Sequence, residues 1–187
     1  VEPNVDKKYL LDWEAGGVPI VPTILRHDAD DFGPWPEFVM KPAVSAGSVH
    51  TYRMTQGDPL CATKAEQILR QSPLLIQPYV PSVSAGGEMS LVFQDGSLTH
   101  TLVKAARFHG ELDNVTEGPP ATPEQFVMAE RALALLPEEA LYARVDLMLW
   151  EGRWVLSELE LIEPFLYLEF CPSGAELLIR GIARRLT

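Results

Sequence analysis

Four ionisable residues near the end of the chain are spaced so that they could do chemistry together. They are Arg144 and Asp146 in Leu141-Tyr-Ala-Arg-Val-Asp-Leu-Met-Leu-Trp150, and Glu158 and Glu160 in Trp154-Val-Leu-Ser-Glu-Leu-Glu-Leu-Ile162. Both stretches read as strands, in which alternate side chains share a face. Leu141, Ala143, Val145, Leu147 and Leu149 form an apolar face and leave Arg144 and Asp146 together on the other, while Glu158 and Glu160 share a face of their own strand. A three-residue turn, Glu151-Gly152-Arg153, would pair Trp150 with Trp154, setting Asp146 opposite Glu158 and Arg144 opposite Glu160. Directly opposed Cβ atoms lie about 5 Å apart, and like charges so placed repel. A divalent cation resolves that conflict, and Mg²⁺ suits it because it takes a few carboxylates and completes its shell with water and phosphate oxygens. From spacing alone a solvated outer face is an equal reading, and a two-residue turn would flip the parity and separate the pairs.

Two lysines add cationic chemistry. Lys41 ends the apolar run Glu37-Phe-Val-Met-Lys-Pro42 and is followed by Ala43 to Ser48, where small residues, Ser45 and Gly47 among them, let backbone N–H groups approach phosphate oxygens. The P-loop pattern is missing, and an ordinary turn with a snorkelling lysine is the alternative. With Asp95-Gly96 as a two-residue turn between Met89–Gln94 and Ser97–Ala105, Lys104 and His100 fall on the face of Met89, Leu91 and Phe93. A lysine at the end of a buried face calls for an anion. The four histidines lack metal-ligand spacing, and no Gly-x-Ser-x-Gly elbow marks a hydrolase.

The elements that must position these groups follow from pattern. Asn4 is placed to cap a helix over Val5 to Glu14, ahead of a short strand at Val18–Val21 and an acidic, Pro-containing loop between His27 and Pro36. Strands are expected at 37–42, 49–54 and 74–80, with a helix at 62–70 between the last two and a turn at Ser84–Gly87. After the Met89–Ala105 hairpin, Gly110 to Pro120 reads as a loop. Thr122-Pro-Glu-Gln125 is a capping box that opens a helix to about Leu136, and a helix from Ser173 closes the chain. Hairpins with helices between them give an α+β fold with two small antiparallel sheets. With 47% hydrophobic and 22% charged residues the 187-residue chain can bury a core. Fifteen Lys and Arg against 26 Asp and Glu give a net charge of −11, which argues against holding nucleic acid or an anionic membrane by bulk charge. Cys61 and Cys171 lack paired spacing, and no signal or membrane segment is seen, so a cytoplasmic setting is the simple expectation.

In order and content these pieces resemble the ATP-grasp ligases over nearly the whole chain. The resemblance rests on Asn4-Val-Asp-Lys7, Gly17-Val-Pro-Ile-Val-Pro-Thr23, Val39-Met-Lys41-Pro42 with its loop, Ile76-Gln-Pro-Tyr-Val80, Gly87-Glu88-Met-Ser90, Lys104, Arg144-Val-Asp146 and Glu158-Leu-Glu160. It implies two α+β lobes, residues 1–77 and 78–187, clasping ATP between antiparallel sheets. By resemblance, Lys7 and Lys41 contact the ATP phosphates with the Ser45 and Gly47 loop, and Gln77, Pro78, Tyr79 and Val80 form the hinge that reads adenine. Glu88 binds the ribose hydroxyls, Lys104 contacts phosphate, Asp146, Glu158 and Glu160 hold magnesium, and Arg144 faces the reacting oxyanion. The implied activity is ATP- and Mg²⁺-dependent activation of a small carboxylate as an acyl phosphate, for attack by an amine or similar nucleophile. A homo-oligomer is compatible with this activity. A catalytically silent nucleotide-binding module is the alternative, and a small acidic protein without a ligand a third. Gln77 stands where an acid is common and Glu160 where Asn is common. The chain opens on Val1 rather than Met, and the family's further N-terminal domain is not represented, as in the ATP-binding part of a longer protein.

Overall fold

The structure, a computed structural model, describes residues 4–45, 48–105 and 114–186. Its elements in chain order are α1 (Tyr9–Ala15), β1 (Ile24–Arg26), β2 (Glu37–Pro42), β3 (Tyr52–Thr55), α2 (Leu60–Leu69), β4 (Leu74–Pro78) and α3 (Pro81–Gly86), followed by β5 (Glu88–Gln94), β6 (Ser97–Lys104), β7 (Val115–Glu117), α4 (Pro123–Leu133), β8 (Tyr142–Trp150), β9 (Arg153–Glu160) and α5 (Pro172–Leu186). Among the described residues the strands form two sheets, ordered β1-β4-β2-β3 and β7-β6-β5-β8-β9, with antiparallel pairing throughout. The α+β reading with two antiparallel sheets holds.

Strand alternation decides what each sheet buries. In the first, Phe38 and Met40 of β2 and Leu74 and Ile76 of β4 pack with Cys61, Ala65 and Ile68 of α2, leaving Val39, Lys41 and Gln77 on the opposite face. In the second, Met89, Leu91 and Phe93 of β5 and Ala143, Val145 and Leu147 of β8 pack with Met128, Ala129 and Ala132 of α4. Tyr9 and Leu10 of α1 join this second core, along with Val18 and Ile20. The capping box at the start of α4 is present, with the Thr122 side chain accepting from Gln125 N and the Gln125 side chain accepting from Thr122 N.

Several local expectations are corrected. The first helix begins at Tyr9 rather than Val5, because Asn4 is not its cap. Instead Asn4 Nδ2 donates to Leu159 O at 2.8 Å, and Leu161 N donates to Asn4 Oδ1 at 3.0 Å. Tyr9 does similar work, since its hydroxyl donates to Leu159 O at 3.1 Å and accepts from Leu159 N at 2.6 Å. Strand β9 is the edge of its sheet, and these side chains together with the Pro19–Val21 backbone satisfy groups that no further strand pairs. The expected strand at 18–21 is an isolated bridge from Ile20 to Leu156. The turn expected at Ser84–Gly87 is the last part of α3, and β7 lies inside the expected 110–120 loop.

Candidate functional site

The two hairpins that carry the second sheet are each closed by two-residue turns, Asp95-Gly96 and Glu151-Gly152, with positive φ at both positions. Each hairpin also contains a register shift, and these shifts decide which side chains meet. In the last hairpin the turn is two residues rather than the expected three, so near it Trp150 pairs with Arg153 and Leu147 with Leu156. A bulge at Ser157 then adds one residue, so Asp146 opposes Glu158 and Arg144 opposes Glu160, as expected but by a different route. In the other hairpin the bulge at Thr99 reverses the expectation. It sets Lys104 opposite Glu88 and His100 opposite Val92, off the face of Met89, Leu91 and Phe93. Lys104 is thereby delivered to the carboxylates. His100 instead bonds through Nε2 to Leu166 O at 2.8 Å, holding the segment that follows β9.

Between the sheets lies a cavity of about 760 Å³, within the range of small-ligand sites. Of the residues expected in the site, Lys7, Lys41, Ser45, Gln77, Pro78, Tyr79, Val80, Glu88, Lys104, Arg144, Glu158 and Glu160 line it. Asp146 lies just beneath, fully buried. Gly47 lies outside the described residues.

The charged part of the cavity is a lattice of ion pairs. Lys41 Nζ is 2.7 Å from Glu158 Oε1, and Lys104 Nζ is 2.8 Å from Glu88 Oε2 and 2.6 Å from Asp146 Oδ2. Arg144 grips Asp146 in a fork, Nε to Oδ1 at 3.0 Å and Nη2 to Oδ2 at 3.1 Å, while Nη2 also pairs with Glu160 and Nη1 donates to Phe165 O at 3.2 Å. Lys7 Nζ donates to Ser45 O at 2.7 Å and reaches Ser45 Oγ at 3.3 Å, which fastens it to the loop after β2.

Burial makes these groups sensitive to one another. Burial alone would raise the Asp146 pKa, but Lys104 and Arg144 outweigh it and hold the carboxyl well below its usual range. The same opposition lowers Glu158 to about 2, with Lys41 and Lys7 overriding burial. Glu160 goes the other way. Burial, reinforced by neighbouring Asp146, raises it to about 7 although Arg144 pulls it down. Lys7 is lowered by burial and by Lys41 despite the nearby glutamates, so it is a cation short of anions.

A second part of the cavity is apolar. Val21, Val80 and Val83 form a buried cluster with Val155, against which Met148 packs. Beside it the Gln77–Val80 backbone crosses from β4 into α3. The Arg53 guanidinium lies 3.6 Å over the Tyr79 ring and is itself held by Glu37.

No protein-family model matches the chain. It is 31% identical over 208 residues to the cycloserine biosynthesis protein DcsG of Streptomyces lavendulae, covering 97% of this chain and 70% of that protein. The crystal structure of D-cycloserine synthetase DcsG superposes with a TM-score of 0.84 at 29% identity, covering 98% of this chain and 71% of that one. The chain belongs to the ATP-grasp ligase family. Among more distant ATP-grasp folds, D-alanyl-alanine synthetase A from Vibrio cholerae O1 biovar eltor str. N16961 superposes with a TM-score of 0.73 at 17% identity over 97% of this chain and 65% of that one. The ATP-grasp ligase PsnB, complexed with a minimal precursor, gives 0.66 at 17% over 97% and 61%. These distant likenesses bear on the fold alone.

Among the described residues no three His, Cys, Asp or Glu side chains are grouped closely enough to hold a metal ion. The carboxylates expected as ligands are engaged by cations instead: Glu158 by Lys41, Asp146 by Lys104 and Arg144, and Glu160 by Arg144. Among the described helices none is long and apolar enough to cross a membrane. Sequence reading missed the roles of Asn4 and Tyr9 at the strand edge, whose only signal was polar groups beside an apolar helix face. It also missed both bulges, for which Ser157 and Thr99 give no compositional signal.

Proposed function

We propose that the cleft binds ATP, with its base in the apolar part beside Gln77–Val80 and its triphosphate among the cations, and that the protein activates a small carboxylate as an acyl phosphate. The observation that carries this reading is the polarity of one cavity. Apolar side chains and a strand backbone meet at one part, while two lysines from the N-terminal half meet Lys104 and Arg144 from the second sheet at the other.

The donor type, carboxylate oxygen, fits magnesium, and holding the ion would require these carboxylates to leave their present cation partners and come together. Four cations, Lys7, Lys41, Lys104 and Arg144, face the carboxylates Glu88, Asp146, Glu158 and Glu160, and Glu163 also lines the cleft, so the cleft carries no net positive charge to spare and is close to neutral. A triphosphate added to a neutral cleft leaves excess negative charge unless a divalent cation accompanies it. Glu158 and Glu160, which line the cleft, together with Asp146, would hold that ion. When bound, it would neutralise the negative charge of the triphosphate and so favour transfer of the terminal phosphoryl group. Lys7 and Lys41 would exchange their present partners for phosphate oxygens, as would Lys104, and Glu88 would take the ribose hydroxyls.

In the first step a carboxylate oxygen of the substrate attacks the γ-phosphorus and ADP departs. In the second, an amine attacks the acyl carbon, loses a proton and expels phosphate. The chain's task is alignment and charge neutralisation rather than covalent help. Arg144, fixed by Asp146 and by Phe165 O, presents a rigid guanidinium to the oxyanion of the tetrahedral intermediate. The similarity to DcsG favours amino-acid-derived small molecules as substrates, in a cytoplasmic setting. The test is ADP release by the full-length protein with a panel of amino acids and related carboxylates and amines. Substrate-dependent ADP formation that requires Mg²⁺ is expected. ATP binding without turnover on any pair would favour a silent nucleotide-binding module.

A further inference from the structure

We infer that Thr23 is a positioning residue that fixes the direction of the Gln77 amide, and thereby selects a purine bearing an amino group over one bearing a keto oxygen. The inference deepens the proposed function and rests on its placement of the base beside the 77–80 segment. Thr23 stands one residue before β1, where the Ile24–Ile76 register runs on to Gln77. Its hydroxyl donates to Val21 O at 2.7 Å, and the side-chain amide of Gln77 contacts the same hydroxyl oxygen at 2.9 Å.

These two contacts leave one arrangement. A carbonyl oxygen has no proton to give, so the single hydroxyl proton of Thr23 is committed to Val21 O. The hydroxyl then offers only lone pairs to Gln77, and the group that meets them must be the NH₂. The direction of the amide is therefore set by bonding logic. Gln77 Oε1 is left as an acceptor. Among the described residues no donor bonds to it, and the side chain, 5% exposed, lines the cleft. Its neighbour across the sheet, Val39, is apolar and supplies no competing donor. A lone, fixed acceptor in a largely desolvated wall pairs with an exocyclic amine and opposes a keto oxygen. Free rotation of the amide would remove that distinction, because the NH₂ could turn to meet the keto group.

The experiment measures the affinities of Mg-ATP and Mg-ITP, which differ at this one exocyclic position and its ring proton, by calorimetry on the full chain. Wild type is expected to bind ATP about tenfold or more tightly than ITP, the worth of one such hydrogen bond. In Thr23→Val the ratio should fall to about threefold or less, mainly through tighter ITP binding. Thr23→Ser, which keeps the hydroxyl, should retain the wild-type ratio. Adding Gln77→Glu to Thr23→Val should bring discrimination back, because a carboxylate accepts whichever way it turns. Equal ATP and ITP affinities in wild type, or an unchanged ratio in Thr23→Val, would overturn the role of Thr23 while leaving triphosphate binding in place. Failure of wild type to bind either nucleotide would overturn the placement of the base and this inference with it.

Discussion

Replacing Asp146 by Asn should damage the fold more than replacing Glu158 by Gln, although the two carboxylates face each other across one strand pair. Asp146 is completely buried and holds two buried cations, Lys104 at 2.6 Å and Arg144 at 3.0 and 3.1 Å. Removing one partner of a buried ion pair costs about 3–5 kcal/mol, because the other charge is left desolvated. Lys104 keeps Glu88 and Arg144 keeps Glu160, so the loss should lie near the lower end, about 3 kcal/mol. For a chain of this size each kcal/mol shifts Tm by about 2–4 °C, which gives a fall of about 6–12 °C. Glu158 is 23% exposed and has one close cation, Lys41, so its loss should cost about 1 kcal/mol or 2–4 °C. Thermal unfolding without nucleotide reads the difference, and ADP release should be lost in both variants. If Asp146→Asn melts with the parent, or Glu158→Gln is the less stable of the two, the buried lattice does not hold the hairpin as argued.

Saturating Mg-ATP at about a hundredfold over Kd should add about 2.7 kcal/mol of stability, a rise in Tm readable by thermal shift, and Lys41→Met should reduce it. Tyr9→Phe should destabilise by about 1–2 kcal/mol in urea unfolding, since Leu159 N loses its buried acceptor while Leu159 O keeps Asn4. Glu160, raised to about 7, takes up a proton in the folded chain at a pH where the unfolded chain, near its ordinary 4.5, has released it. Stability contributed by that group therefore falls as pH rises from about 4.5 to about 7, and Glu160→Gln should flatten this decline in urea unfolding at pH 5 and pH 8. Glu158, lowered to about 2, acts with the opposite sign: its contribution is present above about 4.5 and is lost as pH falls toward 2.

Where strand periodicity ruled, the sequence was readable. The apolar face through Ala143, Val145 and Leu147 is in the core, and Arg144 and Asp146 share the opposite face. The capping box at Thr122 is a local hydrogen-bond pattern that needs no tertiary context, and it forms. What was not readable depends on inserted single residues and on distant partners. The Thr99 bulge moves Lys104 from the expected apolar face to Glu88 and Asp146, and the Ser157 bulge restores the parity that a two-residue turn would have reversed. No residue type demands a bulge at either place, because sheet twist and packing decide it. Asn4 looked like a helix cap because caps are local. It serves instead an edge strand 155 residues away, which only the folded chain brings near.

The same long-range clips bear on function. Asn4 and Tyr9 hold the edge of β9 at Leu159, between Glu158 and Glu160, so the N-terminal segment that supplies Lys7 also fixes the carboxylates. The cleft is thus built from both halves of the sequence. Under the proposed function, its four ion-paired carboxylates and four cations would trade partners when a metal-bound triphosphate arrives. Crystals grown with Mn²⁺ and a non-hydrolysable ATP analogue, measured at a wavelength where manganese scatters anomalously, test this most directly. The account predicts a peak in coordination contact with Glu158 and Glu160 and with the analogue's phosphates, with Lys41 turned away from Glu158. Density for the analogue elsewhere, or a peak remote from these carboxylates with Lys41 still on Glu158, would contradict it.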